Sequence, residues 1–259
     1  MNRICLKLFL LFCIPLAFPL AGMSQDSLSK KAVVLELFTS QGDINSTPAE
    51  KIMHEILTET GGTKNQVYAL AMHVDFWNRY GWKDPFSTFR FTNRLHNYTS
   101  VLGLKETYTP LLILNGNRIV DASNKEKIKA AILAEQSKPA ALEIDFSYSV
   151  FDDTLDVTYA LNKELPKSKA GALHYLGIAI TESGLTTQVT AGDNKGKTLK
   201  GESVVKLLSI TNLVRKNGIV RIPLKGFKVA GNKEVIVFVQ RKRDKEMLCA
   251  GSVGVKQTK

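Results

Sequence analysis

On either side of Ser137-Lys138-Pro139 the apolar residues of this 259-residue chain follow two different spacing rules, and that change constrains the fold more than any other feature. Before it, from Ala32 to about Gln136, strand and helix patterns alternate. Val33 to Phe38 is almost continuously apolar, as expected of a strand buried on both faces of a parallel sheet. Ala49, Ile52, Met53, Ile56 and Leu57 then recur at i, i+3, i+4, i+7 and i+8, one face of a helix that Gly61-Gly62 ends. Thr47, Pro48 and Glu50 suit its cap, its first helical position and a capping box. Val67 to Val74 reads as a second buried strand, and Phe91, Leu95, Tyr98 and Leu102 as a second helix reaching Gly103. Leu111 to Leu114 and Arg118 to Val120 flank Asn115-Gly116, a pair suited to positive φ, and predict a hairpin. Ser123 with Glu126 predicts a capping box at the start of a last helix, with Ile128, Ala131 and Ile132 turned inward.

Beyond Pro139 the period drops to two. Ile144, Phe146, Tyr148 and Val150 alternate with polar residues, as do Leu155, Val157, Tyr159 and Leu161, with Asp152-Asp153 between the runs. Further strands are predicted at Leu173 to Ile180, Ile219 to Leu224, Val235 to Gln240 and Leu248 to Val255, while residues 198–214 fit helix and strand equally. Many short strands with turn signals point to a β-sandwich. The expected architecture is an α/β domain over 32–137 followed by an all-β, sandwich-like domain over 140–259. With 44% hydrophobic and 23% charged residues, the composition is that of an ordinary globular protein.

Residues 1–24 carry Arg3 and Lys7, then an apolar run from Leu8 to Ala21 broken by Pro15 and Pro19, then small residues. The run falls short of the ~20 apolar residues of a membrane span and reads as a cleaved secretory signal, which implies an exported, periplasmic or secreted protein with no span once the signal is gone. Export removes Cys5 and Cys13 and leaves Cys249 alone in the apolar setting Met247-Leu248-Cys249-Ala250, where a cysteine acts as a small hydrophobe. One cysteine forms no dithiol couple within a molecule.

The formal charge of +11 becomes +9 without Arg3 and Lys7. Its densest cluster, Arg241-Lys242-Arg243-Asp244-Lys245, has no interleaved aromatics and reads as a solvated loop between strands, so no specific nucleic-acid binding is expected. Ala191-Gly192-Asp193-Asn194-Lys195-Gly196-Lys197-Thr198 fits a relaxed phosphate-loop pattern. Such a loop works between a parallel strand and a helix, however, and this one lies among antiparallel strands. No Gly-x-Ser-x-Gly elbow supports a hydrolase. No cofactor and no metal site are expected.

The residues with most to say about function follow the first strand: Thr39-Ser40-Gln41-Gly42-Asp43-Ile44-Asn45-Ser46-Thr47-Pro48-Ala49-Glu50. With His73-Val74-Asp75-Phe76-Trp77, Gly81-Trp82-Lys83-Asp84-Pro85-Phe86, Tyr108-Thr109-Pro110, Asn115-Gly116, Gly192 to Lys197 and Val239-Gln240, this run resembles the secreted thioredoxin-like family known as domain of unknown function 1223. The likeness spans nearly the whole mature chain. Strand, helix, strand, helix, hairpin, helix is also the thioredoxin order. The family's run reads Thr-Ser-Gln-Gly-Cys-x-x-Cys, and the two cysteine positions are Asp43 and Ser46 here. A carboxylate and a hydroxyl cannot exchange disulfides, because the step needs a sulfur nucleophile and a sulfur leaving group.

The resemblance further implies that Pro110 is cis and that Thr109 offers backbone to an extended peptide. His73, Asp75, Trp77 and Trp82 follow the second strand at its carboxyl end, an edge where α/β sheets build sites. The candidate site is therefore Asp43, Ser46, His73, Asp75, Trp77, Trp82, Thr109 and Pro110. The leading expectation is a non-redox module that binds a protein or extended peptide. Two alternatives are an oxidoreductase role that depends on a partner's cysteines, or on Cys249, and a metal or acid–base site at Asp43, His73 and Asp75.

Overall fold

The computed structural model describes residues 30–165 and 173–255. The secretory signal read at 1–24 lies outside them. The chain folds as mixed α/β around one large sheet. Its first half runs β1 (Val33–Thr39), α1 (Ser46–Thr60), β2 (Val67–His73), α2 (Phe89–Val101), β3 (Leu111–Leu114), β4 (Arg118–Val120) and α3 (Lys125–Gln136). The second half supplies β5 (Ile144–Phe151), β6 (Thr154–Leu161), β7 (His174–Glu182), β8 (Leu185–Gln188), β9 (Thr198–Gly201), β10 (Val204–Leu213), β11 (Asn217–Pro223), β12 (Lys233–Arg241) and β13 (Met247–Gly254).

Eight strands form the large sheet in the order β13-β12-β7-β10-β2-β1-β3-β4. β1 and β2 are parallel and β3 runs antiparallel to β1. The sheet continues through the change of spacing at 137–139, since β10 pairs with β2 at Val204 and Ala71, and the Ala71 amide donates to Ser203 O at 2.9 Å. β5, β6 and β11 form a three-stranded sheet, and β8 with β9 a two-stranded one. Residues 198–214, which fit helix and strand equally in the sequence, are the strands β9 and β10.

Alternation along the strands divides the core. Val33, Leu35 and Leu37 meet Ala49, Met53 and Ile56 of α1 and Ile128, Ala131 and Ile132 of α3. Val34 and Phe38 face Phe91, Leu95 and Tyr98 of α2, together with Ala179, Val205, Ile236 and Phe238. The alternate residues of β7 and β12, among them Ile178, Ile180, Val235 and Val237, bury Leu155, Val157 and Leu161 of β6. The small sheet therefore covers the face opposite α2, one side chain in two pointing each way.

Two helix starts differ from the sequence reading. Ser46 opens α1, Asn45 precedes it without a side-chain cap, and Thr47 lies inside the helix. Glu50 does not reach back to complete a capping box, because its Oε1 accepts from Thr39 Oγ1 of β1 at 2.5 Å. At α3 the cap is Asn124, whose Oδ1 accepts from the Lys127 amide at 2.9 Å, and Ser123 bonds to Asp121 instead. In both places a tertiary or nearer partner outcompetes the expected one. The 115–116 turn is as expected, with φ of 45° at Asn115 and 75° at Gly116.

Candidate functional site

The turn between β1 and α1 is buried and closed by its own polar groups. Asp43, 1% exposed, accepts from the Asn45 amide through Oδ1 at 3.0 Å, and from Ser46 Oγ and Thr109 Oγ1 through Oδ2, each at 2.7 Å. Trp77 Nε1 donates to Thr109 Oγ1 at 2.8 Å. The Thr109–Pro110 bond is cis. Four of the expected site residues, Asp43, Ser46, Trp77 and Thr109, thus form one chain of hydrogen bonds, with Pro110 adjoining. A carboxylate with three donors around it is well satisfied when buried.

His73, at the end of β2, belongs to a second cluster. Its Nδ1 lies 2.7 Å from Asp84 Oδ2, which also accepts from the Gln41 amide at 2.7 Å, while Asp84 Oδ1 accepts from the Phe86 amide at 2.9 Å. Both side chains are fully buried, and His73 Nε2 has no hydrogen-bond partner among the described residues. Burial alone would lower the His73 pKa, yet the charge and hydrogen bond of Asp84 outweigh it and raise the value. Burial opposes ionisation of Asp84 as well, but His73 and the two backbone amides hold its carboxyl below the usual range. Glu50, whose charge also favours protonation of His73, is itself raised by burial.

Asp75 belongs to neither cluster, because its Oδ1 accepts from Thr92 Oγ1 of α2 at 2.6 Å. The structure therefore does not bring Asp43, His73 and Asp75 to a common point, and each already has its own partner. Among the described residues no group of three or more His, Cys, Asp or Glu could hold a metal ion. Cys249 is buried on β13, and burial pushes its thiol up to about 12, far from the thiolate a nucleophile needs.

The loop at Gly192 to Lys197 packs onto the same turn. Asn194, fully buried, donates to Gln41 O at 2.9 Å and to Asp43 O at 3.4 Å, and its own Oδ1 accepts from Lys197 Nζ at 2.9 Å. Trp82 Nε1 reaches Gln41 Oε1 at 3.4 Å, and a Cβ on Gly192 would stand 3.1 Å from Trp82 Cβ. Trp82 thus clamps this loop, whereas Trp77 lines a cleft.

That cleft, of about 360 Å³, opens beside Thr109 and is lined among others by Trp77, Tyr80, Thr92, His96, Tyr108 and Thr109. Trp77 and Tyr80 stack obliquely at 5.3 Å, and Arg79 sits 4.9 Å over the Tyr80 ring. Tyr80 is 56% and Tyr108 42% exposed. The backbone N–H and C=O of Tyr108 and Thr109 make no hydrogen bond among the described residues. Sequence reasoning missed the cleft's Tyr80 and Tyr108 and the tie from Asn194. The Tyr108-Thr109-Pro110 run was a signal for the first of these, and the Gly192 to Lys197 run for the second.

A family profile described as "Protein of unknown function (DUF1223)" matches residues 34–240, which include both clusters, the cleft and the Asn194 loop. The chain belongs to DUF1223. No curated protein matches this DUF1223 member. Its fold is similar to that of a crystallised protein from Agrobacterium tumefaciens, at a TM-score of 0.63 and 20% identity over 88% of this chain and 96% of that one. It is also similar to HBP35 of Porphyromonas gingivalis, at a TM-score of 0.65 and 16% identity over 87% of this chain and 76% of that one. At these identities the likeness is one of fold. Among the described residues of this DUF1223 protein no helix is long and apolar enough to cross a membrane.

Proposed function

We propose that this DUF1223 member is an exported, non-redox protein with a thioredoxin-like first half, and that it holds an extended peptide segment of a partner protein along Tyr108-Thr109. The element order β1-α1-β2-α2-β3-β4-α3 and the bond from Thr109 Oγ1 to Asp43, which sets Thr109 against the β1–α1 turn, support the thioredoxin-like reading. The leader-like composition of residues 1–24 supports export. At the two positions a dithiol would occupy, Asp43 and Ser46 bond to each other, so the turn is a floor rather than a reagent.

The observation that carries the binding role is the unpaired backbone of Tyr108 and Thr109, set beside an aromatic cleft and fixed from below by Asp43. A strand edge with free N–H and C=O groups recruits an extended chain through main-chain bonds, and adjacent pockets select its side chains. Tyr80 and Tyr108 supply amphipathic contact area with little entropy to lose. Affinity capture from the exported fraction tests this with wild type, Tyr108→Ala and Thr109→Val. A partner retained by wild type and lost by both variants is the expected result, and identical partner sets would overturn the proposal.

A further inference from the structure

On the α2 side of the sheet, and sharing no lining residue with the peptide cleft, is a second cavity of about 340 Å³. Its walls include Arg90, Asn93, Arg94 and Asn97 of α2, Tyr175 of β7 and Lys245 from the β12–β13 turn. Among the described residues no aspartate or glutamate lines it. One carboxylate bonded to its walls is Glu36, fully buried in the middle of β1. Arg94 Nε donates to Glu36 Oε1 at 2.7 Å, Tyr98 Oη donates to Glu36 Oε2, and Gln240 Nε2 donates to Tyr98 Oη at 2.8 Å. This network uses the inner side of the Arg94 guanidinium. Nη2 reaches Tyr98 Oη at 3.0 Å, whereas Nη1 has no hydrogen-bond partner among the described residues.

The surplus charge is not neutralised elsewhere. Lys242 and Lys245 both lie over the Tyr175 ring, at 4.7 and 5.7 Å. The acids of their own hairpin, Asp244 and Glu246, are engaged by Arg241. Arg90, Lys242 and Lys245 have no acidic partner among the described residues, and three cationic groups, Arg90, Arg94 and Lys245, line the cavity in front of one buried carboxylate. Burial, then the charges of Arg94 and Lys242, lower the Lys245 pKa, as expected where like charges crowd with no counter-ion. The Arg94 side chain and the Lys245 backbone are nonetheless held. Gln240 Nε2 donates to Lys245 O at 2.8 Å, and Arg94 is anchored through Glu36. Cations held in place by other bonds bind at smaller entropic cost.

We propose that this cavity is a binding site for a small anion with at least two negative charges, held by Arg90, Arg94 and Lys245 and by the amides of Asn93 and Asn97. Guanidinium and amide donors suit carboxylate and phosphate oxygens alike, and a cavity of this size fits a small metabolite rather than a polymer. Isothermal titration calorimetry with citrate and with inorganic pyrophosphate at fixed ionic strength tests it. The protein is compared as wild type, Arg90→Gln, Lys245→Gln and, as a distant surface control, Lys200→Gln. Saturable one-to-one binding of either anion is expected, weakened at least tenfold in Arg90→Gln and Lys245→Gln and unchanged in Lys200→Gln. The identity of the bound anion tells carboxylate from phosphate chemistry. No saturable binding of either probe, or equal affinity in all four proteins, would overturn the proposal.

Discussion

Asp43 is almost fully buried, and its three accepted hydrogen bonds explain how a carboxylate persists there. Asp43→Ala leaves the hydroxyls of Ser46 and Thr109 without their acceptor, and the expected loss is about 3 kcal/mol by urea denaturation, with Asp43→Asn milder. His73 and Asp84 give a different signature. The raised His73 pKa contributes stability that is complete below its ordinary value of 6.5 and is lost as pH rises through the folded value. The lowered Asp84 pKa contributes stability present above its ordinary 3.8 and lost as pH falls through its folded value. Urea midpoints measured against pH are therefore expected to fall on both sides of a plateau that spans about pH 4 to 6.5. His73→Gln should flatten the alkaline limb. Asp84→Asn, which removes the charge that keeps the buried His73 protonated, is expected to cost about 3–5 kcal/mol.

At the scale of elements, the β3–β4 turn is bolted to the β12–β13 hairpin. The Met247 amide donates to Asn115 O at 2.9 Å, and Asn115 Oδ1 accepts from the Val34 amide at 2.8 Å. A Cβ on Gly116 would stand 1.9 Å from Lys245 O, at a φ of +75° that already favours glycine. Gly116→Ala is expected to cost more than about 2 kcal/mol and to speed hydrogen exchange at the Met247 amide selectively. The turn itself was legible, because Asn-Gly between two apolar runs has a local mechanism. Its docking was not, since no local signal ties residue 116 to residue 245. The same division runs through the site. Asp43, Trp77 and Thr109 came from a contiguous run or from the resemblance, but the His73–Asp84 pair depends on a loop folding back. The two misplaced caps differ: Asn124 takes the place expected of Ser123, whereas α1 starts at Ser46 with no side-chain cap and Glu50 turns to Thr39 instead.

For the whole molecule, periodicity found most strands and all three helices but not which sheet each strand joins. β7, β10, β12 and β13 extend the sheet begun by β1 to β4, while β5, β6 and β11 cover its face. Strand patterns encode burial on one face or two, and edge-to-edge order is left to tertiary contacts. Since Ala179, Val205, Ile236 and Phe238 share a core with Val34 and Phe38, both halves are expected to unfold together. Fluorescence of Trp77 and Trp82, both in the first half, should follow the same urea curve as far-UV circular dichroism, and two separated transitions would contradict a shared core. The function proposed above rests, at this scale, on the surface built around Thr109, with the β1–α1 turn as its floor. Photocrosslinking in the producing cells from a probe at position 108, with a control probe at the 83% exposed Phe151 of β5, tests that most directly. The expected result is a discrete crosslinked partner from position 108 alone, lost when Trp77→Ala is added. Adducts that are the same from both positions, or none from position 108, would contradict it.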